Sequence, residues 1–418
     1  MQYPSLIDPL GRSRGKSEHS FSAPAPETHA MAESHAETLD SARLREILAG
    51  LGHDATRFRF DVAPNPCVGA AVVSGTDVIA RGFHQVWGEA HAEINALEEA
   101  ERTAVPRSKW DALVVTLEPC STFGKTPPCV EAIVASGIKT VVVGALDPDS
   151  RHRGRGLDVL RAAGLEVILL EGESPLEAVA PHFLSWTDNE RVRRPRPWTI
   201  AKWAQTRSGQ MIPPHGVGGG RWISGPESLK EVQVLRGRVD AIVTGVGTIL
   251  ADDPRFTVRP PGNLSKPPLR VVLDSTLRTP PNATILQPPG ENAAGGPVHI
   301  LCVGGAPNER HRALVDAGAF VHPLHVATDD GVSLRDVQTW LHEQGVRRML
   351  LEAGPRLLAH YLTTRFVDQI RMYTGAVNGG EGPTMASWIT RLKLEQRIHR
   401  ECAEDAVLDA FVAHDARA

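Results

Sequence analysis

From Ser41 the segment ARLREILAGL places its apolar residues at helical spacing and predicts an amphipathic helix. A turn at Pro64-Asn65-Pro66 follows, then two strands, VGAAVVSG and DVIARGFH. HAEINALEEAERTA sets Ala, Ile, Leu and Ala on one face, predicting a helix whose N-terminus carries His91 and Glu93. WDALVVTLE reads as a buried strand delivering Cys120 at its end, and PPCVEAIVASG as a helix with Cys129 in its first turn. TVVVGALD, GLDVLRAAG and LEVILLEG continue as strand, helix and strand. Such alternation predicts a three-layer α/β/α sheet.

The polar stretch NERVRRPRP, 189–197, holds two prolines and reads as a linker. Beyond it PWTIAKWAQT restarts with a strand, and ISGPESLKEVQVLRGRV is helical. DAIVTGVGTI is a strand entering a Gly-containing loop; LRVVLDS, VHILCVG and RRMLLEAG are further strands. GPRLLAHYLTTRF forms a helix before DQIRMYTGAV. A second α/β domain with helices between parallel strands is expected over 198–418, after a first over 37–188. TGVGT lacks the third glycine of a dinucleotide fingerprint, so nucleotide binding does not follow from that motif. Residues 1–36, rich in Ser, Pro, Ala, His and Glu without periodicity, read as a disordered tail.

Composition narrows the function classes. Forty-five Lys and Arg against 49 Asp and Glu give a net charge of −4, which advertises neither nucleic acid nor an anionic membrane as partner. No apolar run approaches the ~18 residues of a membrane span. Five cysteines (67, 120, 129, 302 and 402) are too few for a disulfide framework in a chain this long, which points to a reducing, cytoplasmic setting.

The cysteines matter through two of their number. His91, Cys120 and Cys129 offer one imidazole and two thiolates, the three protein ligands of a catalytic zinc with a position left open. Glu93, two residues from His91, is spare as a ligand and suits a proton shuttle, as in zinc deaminases acting on an amidine-like carbon. Those deaminases usually place two residues between the cysteines; here STFGKTPP supplies eight. Cys67 is the remaining contender for a fourth ligand, but its place before a Gly-Ala-Ala strand reads as buried packing.

PNPCVGAAVV, HAEINAL, TLEPCSTFGKTPPC and the later Asp-Pro and Gly-Arg-Gly elements together resemble, in order and spacing, the bifunctional deaminase/reductase family of riboflavin biosynthesis. KWAQ, RWISG, VLRGRVDAIVTGVGTILADDPRFTVR, RVVLDS and LLEAGPRLL resemble its reductase half. The resemblance implies a cytidine-deaminase-like domain followed by a dihydrofolate-reductase-like domain, with Zn2+ and NADPH as cofactors. The reactions implied are hydrolytic deamination of a phosphorylated diaminopyrimidine ribotide and reduction of its ribosyl group to ribityl, by a homo-oligomer. It further implies that Asn65, His84, Lys125 and Thr126 bind the first substrate and that Arg236, Phe256 and Arg259 bind the second. Lys202, Asp252 and Glu352 would surround the reacting sugar. Ala204, Trp222, Thr248, Asp252, Ser275, Gly354, Pro355, Arg356 and Leu357 would line the cofactor. The chain departs from the family at Asp149, where an amide is usual, and at Thr206-Arg207-Ser208-Gly209, where Ser-Leu-Asp-Gly is usual. Those departures motivate an alternative, an active deaminase whose second domain only binds or assembles. A nucleic-acid base deaminase is a further rival, disfavoured by the eight-residue loop and the charge balance.

Overall fold

The computed structural model describes residues 40–172, 176–188, 196–217, 223–262, 264, 266–324, 327–328 and 331–414. The tail expected over 1–36, most of the linker and Trp222 lie outside them. The first half runs α1 (Ser41–Ala55), α2 (Arg59–Val62), β1 (Gly69–Ser74), β2 (Asp77–Phe83), α3 (Ala92–Glu101), β3 (Ala112–Val115), α4 (Cys129–Ser136), β4 (Thr140–Val143), α5 (Arg155–Ala162), β5 (Glu166–Leu169), α6 (Leu176–Val179) and α7 (Pro181–Asp188). Its sheet has the order β2-β1-β3-β4-β5, antiparallel across β2, β1 and β3 and parallel onward.

Period-two burial explains the three layers, because strands covered on both faces send alternate side chains to opposite cores. Ala70, Val72, Leu113, Val115, Val141 and Val143 pack with Ala96, Ile133 and Leu160 of α3, α4 and α5. Their neighbours Ala71, Val73, Val114 and Val142 pack under Leu44, Leu48 and Leu51 of α1. Asp40 starts α1 by accepting from the Ala42 amide at 3.0 Å.

The second half runs β6 (Trp198–Gln205), β7 (Gln210–Ile212), α8 (Pro226–Gly237), β8 (Ala241–Gly245), α9 (Val246–Asp252), β9 (Leu269–Leu273), β10 (Val298–Val303), α10 (Asn308–Asp316), β11 (Phe320–Leu324), β12 (Ala327–Thr328), β13 (Gly331–Val332), α11 (Leu334–Glu343), β14 (Arg348–Glu352), α12 (Pro355–Thr363), β15 (Gln369–Thr374), β16 (Glu381–Thr384), α13 (Ala386–Ile389), β17 (Leu394–Cys402) and β18 (Asp405–Val412). A nine-stranded sheet takes the order β11-β10-β9-β8-β14-β6-β15-β18-β17. Its strands are parallel from β11 to β15, as expected, but β18 and β17 join antiparallel. The Gly-containing loop expected after Thr244 is instead α9, because Val246 and Ile249, three apart, both bury.

The halves share a core. Phe60 and Ala63 pack with Trp198, Ile200, Leu350 and Phe411. Arg348, fully buried on β14, donates to the carbonyls of Asp61 at 2.8 Å and Phe60 at 3.0 Å. Arg196, expected in the linker, is buried and pairs through both Nη atoms with Asp368, at 2.7 and 2.6 Å. The linker's last residues thus belong to the second domain's core. Among the described residues no helix is long and apolar enough to cross a membrane.

Candidate active sites

His91 caps the N-terminus of α3, Glu93 lies in its first turn, and Cys129 opens α4. Cys120 lies five residues beyond β3 rather than at its end. The His91 Nδ1 is 3.3 Å from the Cys129 Sγ and 3.5 Å from the Cys120 Sγ. All three ligand atoms lie within 4.8 Å of one another, and no other such group occurs among the described residues. A tetrahedral zinc with Zn–S of about 2.3 Å and Zn–N of about 2.0 Å has N···S edges of about 3.5 Å, so the residues fit the ion. Cys67 is not part of the group; it is buried beneath α1, and burial pushes its thiol up to about 12.

The side chains of the group act strongly on one another. The thiol of Cys129 hydrogen-bonds Cys120 and drives it towards the thiolate, despite burial and with help from His91; Cys129, the donor, is pushed up. Glu93 is buried, and desolvation raises its carboxyl, opposed by His91. A raised carboxyl is suited to carrying a proton near neutral pH. His84 Nδ1 lies 3.1 Å from the Ala90 carbonyl, which fixes that nitrogen as donor and leaves Nε2 to accept from Asn65 Nδ2 at 3.3 Å. Burial, then His91, lowers His84 to about 4, so it stays neutral. The structure therefore brings Asn65 and His84 to the His91, Cys120 and Cys129 group, with the His84 and His91 rings 5.1 Å apart.

Glu118 was not singled out from the sequence, yet it ties the segment that leads to Cys120 to the loop after β4 and the start of α5. Its buried carboxylate accepts from the amides of Asp147 (3.1 Å), Gly154 (2.9 Å) and Gly156 (2.8 Å). A Cβ on Gly156 would lie 2.1 Å from the Pro119 carbonyl oxygen, so only glycine lets α5 approach Cys120 this closely. Asp149, the departure from the family's amide, is offset by Arg151, whose Nε and Nη2 bind both its oxygens.

Lys125 leans across the halves: its Nζ lies 2.9 Å from Asp240 Oδ1, just before β8, and 3.6 Å from the Trp87 ring centre. Thr126 beside it is half-buried, and its carbonyl accepts from Gly124.

In the second half, Lys202 on β6 stands in register with Glu352 at the end of β14. Arg236 differs from its expected place as a free grip on substrate. Its Nε and Nη2 bind Glu352 at 2.6 and 3.0 Å, its Nη1 the Thr257 carbonyl at 3.2 Å, and its guanidinium lies over Phe256. Burial would raise Glu352, but Arg236 and then Lys202 hold it below the usual carboxylate range. Burial lowers Lys202. Thr248 accepts from the Gly354 amide at 3.3 Å, joining α9 to the first turn of α12, where Pro355, Arg356 and Leu357 follow. Ser275 follows β9 and accepts from Val332, and Ala204 packs beside Tyr373. Asp252 ends α9 exposed, and Arg259 is exposed with its amide on Gln233. The Thr206–Gly209 departure is a tight turn, its Ser208 hydroxyl accepting from Gly379 at 2.7 Å.

Two family models match the chain: the cytidine and deoxycytidylate deaminase zinc-binding region over 53–145, and the RibD C-terminal domain over 197–408. The riboflavin biosynthesis protein RibD of Aquifex aeolicus is 34% identical across 82% of this chain and 92% of its own length. That of Escherichia coli is 34% identical across 76% and 84%. Among solved structures, Acinetobacter baumannii RibD gives a TM-score of 0.60 at 27% identity, covering 89% of this chain and 99% of that one. A diaminohydroxyphosphoribosylaminopyrimidine deaminase/5-amino-6-(5-phosphoribosylamino)uracil reductase of Thermotoga maritima gives 0.60 at 26%, covering 88% and 99%.

Proposed function

The chain belongs to the RibD family of riboflavin-biosynthesis proteins, and from that premise we propose how its own residues divide the two reactions. It is a bifunctional enzyme, a zinc-dependent deaminase and an NADPH-dependent reductase. The reading assigned to the first half is replacement of the amino group of a diaminopyrimidine ribotide by a carbonyl. The observation that carries it is the His91, Cys120 and Cys129 group with buried Glu93 beside it.

Zinc, when bound by those three residues, supplies Lewis acidity that makes water nucleophilic near neutral pH. Glu93 carries the two protons of the water in turn, the first to the ring nitrogen and the second to the departing amine, a task its raised carboxyl suits. Asn65 and neutral His84, locked to each other, orient the pyrimidine. Lys125 carries the charge for the phosphate.

NADPH, when bound along α9 and the first turn of α12, supplies the hydride for the second reaction. Lys202 and Glu352 flank the sugar with Asp252 nearby, Arg236 keeps Glu352 ionised, and exposed Arg259 is left for the phosphate. The intact Lys202, Glu352 and Arg236 arrangement, together with a Thr206–Gly209 turn whose hydroxyls accept from the Gln210 and Gly379 amides, favours reduction over a domain that merely binds. A small phosphorylated substrate, and self-association rather than a nucleic-acid partner, complete the reading.

Glu93→Gln tests the central assignment. The variant should keep one zinc per chain and lose deamination by about two to four decades, while NADPH oxidation with supplied deaminated ribotide continues. Deamination within tenfold of the parent enzyme would remove Glu93 from the reaction.

A further inference from the structure

Lys125 is held from three sides. Its stem passes over Gly88, whose φ of +83° and missing Cβ make the room: a Cβ there would lie 2.9 Å from Lys125 Cδ. The ammonium rests on the face of Trp87, 3.6 Å from the ring centre, a favourable place for a cation. Asp240 Oδ1 accepts one of its protons at 2.9 Å. The second Asp240 oxygen is pinned by the amides of Arg347 (2.8 Å) and Arg348 (3.1 Å), so the carboxylate is not free to swing. The Trp87 main chain is anchored in turn by its amide on the Asp61 carbonyl, 3.1 Å away, and the Arg348 guanidinium lies 5.7 Å from its ring centre.

A lysine ammonium has three donors, and Asp240 uses one. The side chain is 47% exposed, which leaves the others open to a ligand. A lysine otherwise surrenders considerable rotamer freedom when it grips an anion, and ordering it beforehand removes that cost. We propose that Asp240, contributed by the reductase half, is a positioning residue of the deaminase: with Trp87 it presents the Lys125 ammonium to the phosphate of the pyrimidine ribotide. This rests on the assignment of Lys125 to that phosphate.

Asp240→Asn isolates the contact, because the side-chain oxygen can still accept from Arg347 and Arg348 while the amide nitrogen turns to Lys125. In the full chain loaded with zinc, KM for deamination of the ribotide should rise about two- to five-fold, the range of a partly exposed ion pair, at unchanged kcat. The rise should shrink at high salt, vanish on the dephosphorylated riboside and vanish in a Lys125→Ala background. NADPH oxidation should stay at the parent rate. Gly88→Ala, which displaces the lysine stem from the other side, should raise the same KM and supplies the test should Asp240→Asn fold poorly. A fall in KM, marking Asp240 as a competitor for the ammonium, or an equal rise on the riboside, marking general loosening, overturns the inference. A Lys125→Ala variant with unaltered KM removes its premise instead and is read separately.

Discussion

The Arg236 guanidinium spends two donors on Glu352 and a third on the Thr257 carbonyl, with both side chains of the ion pair about one-tenth exposed. Removing one member of a buried pair strands the other's charge, at a cost of about 3–5 kcal/mol. Arg236→Met is therefore expected to lower the melting temperature and abolish NADPH oxidation while deamination survives. Adding Glu352→Gln should restore much of the stability and none of the reduction, as thermal unfolding and the two assays would show. The His91, Cys120 and Cys129 group was legible in the sequence because two short motifs carry it with zinc-like composition. The Arg236–Glu352 pair was not, since its members lie 116 residues apart and only the ordering of β8, β14 and α8 brings them together. Glu118 leaves no signal in the sequence for another reason: its partners are backbone amides, which leave no mark in side-chain identity.

Glu118 also shows how one element can set another's position. Its carboxylate gathers the loop after β4 and the start of α5 onto the segment bearing Cys120. In Glu118→Gln one acceptor becomes a donor facing a donor, a buried mismatch of about 1–3 kcal/mol. Reduced zinc retention against a chelator, along with a lower melting temperature, is the expected outcome; full retention would confine Glu118 to general stability. Most elements were legible from periodicity because covered strands and amphipathic helices carry it strongly, as β3, β4 and α1 do. Elements that obtain their burial from the other side of the chain were harder to read. The seven-residue α9 shows only Val246 and Ile249 as its buried pair, and the β17–β18 hairpin pairs antiparallel onto an otherwise parallel sheet.

Across the whole molecule, His182 of α7 is expected to make the junction pH-sensitive. Its ring stacks on Phe411 with centres 4.4 Å apart, and Nε2 lies 3.0 Å from the Asn65 carbonyl, so Nε2 is the donor. Nδ1 is buried without a partner among the described residues, and protonating it would bury an unanswered N–H. Burial accordingly lowers His182 to about 4 from 6.5, against the pull of the Asn65 bond and with help from Arg59. The unfolded chain binds that proton more readily, so stability is complete above pH 6.5 and declines as pH falls towards 4. The loss from this one group is on the order of 3 kcal/mol, and His182→Phe should reduce the slope of the melting-temperature profile over that interval, with His84, lowered to the same value, supplying part of what remains; an unaltered slope would assign the sensitivity elsewhere. Arg348 makes each half of the same junction depend on the other. Its guanidinium, lowered to about 9 by burial, is answered by two carbonyls that the other half provides. A gene encoding only the reductase would inherit a cation whose acceptors had been left on a separate message. Separating the halves would strand the Arg348 charge unless the two pieces re-associated or the arginine were replaced, so the two catalysts share one electrostatic dependence.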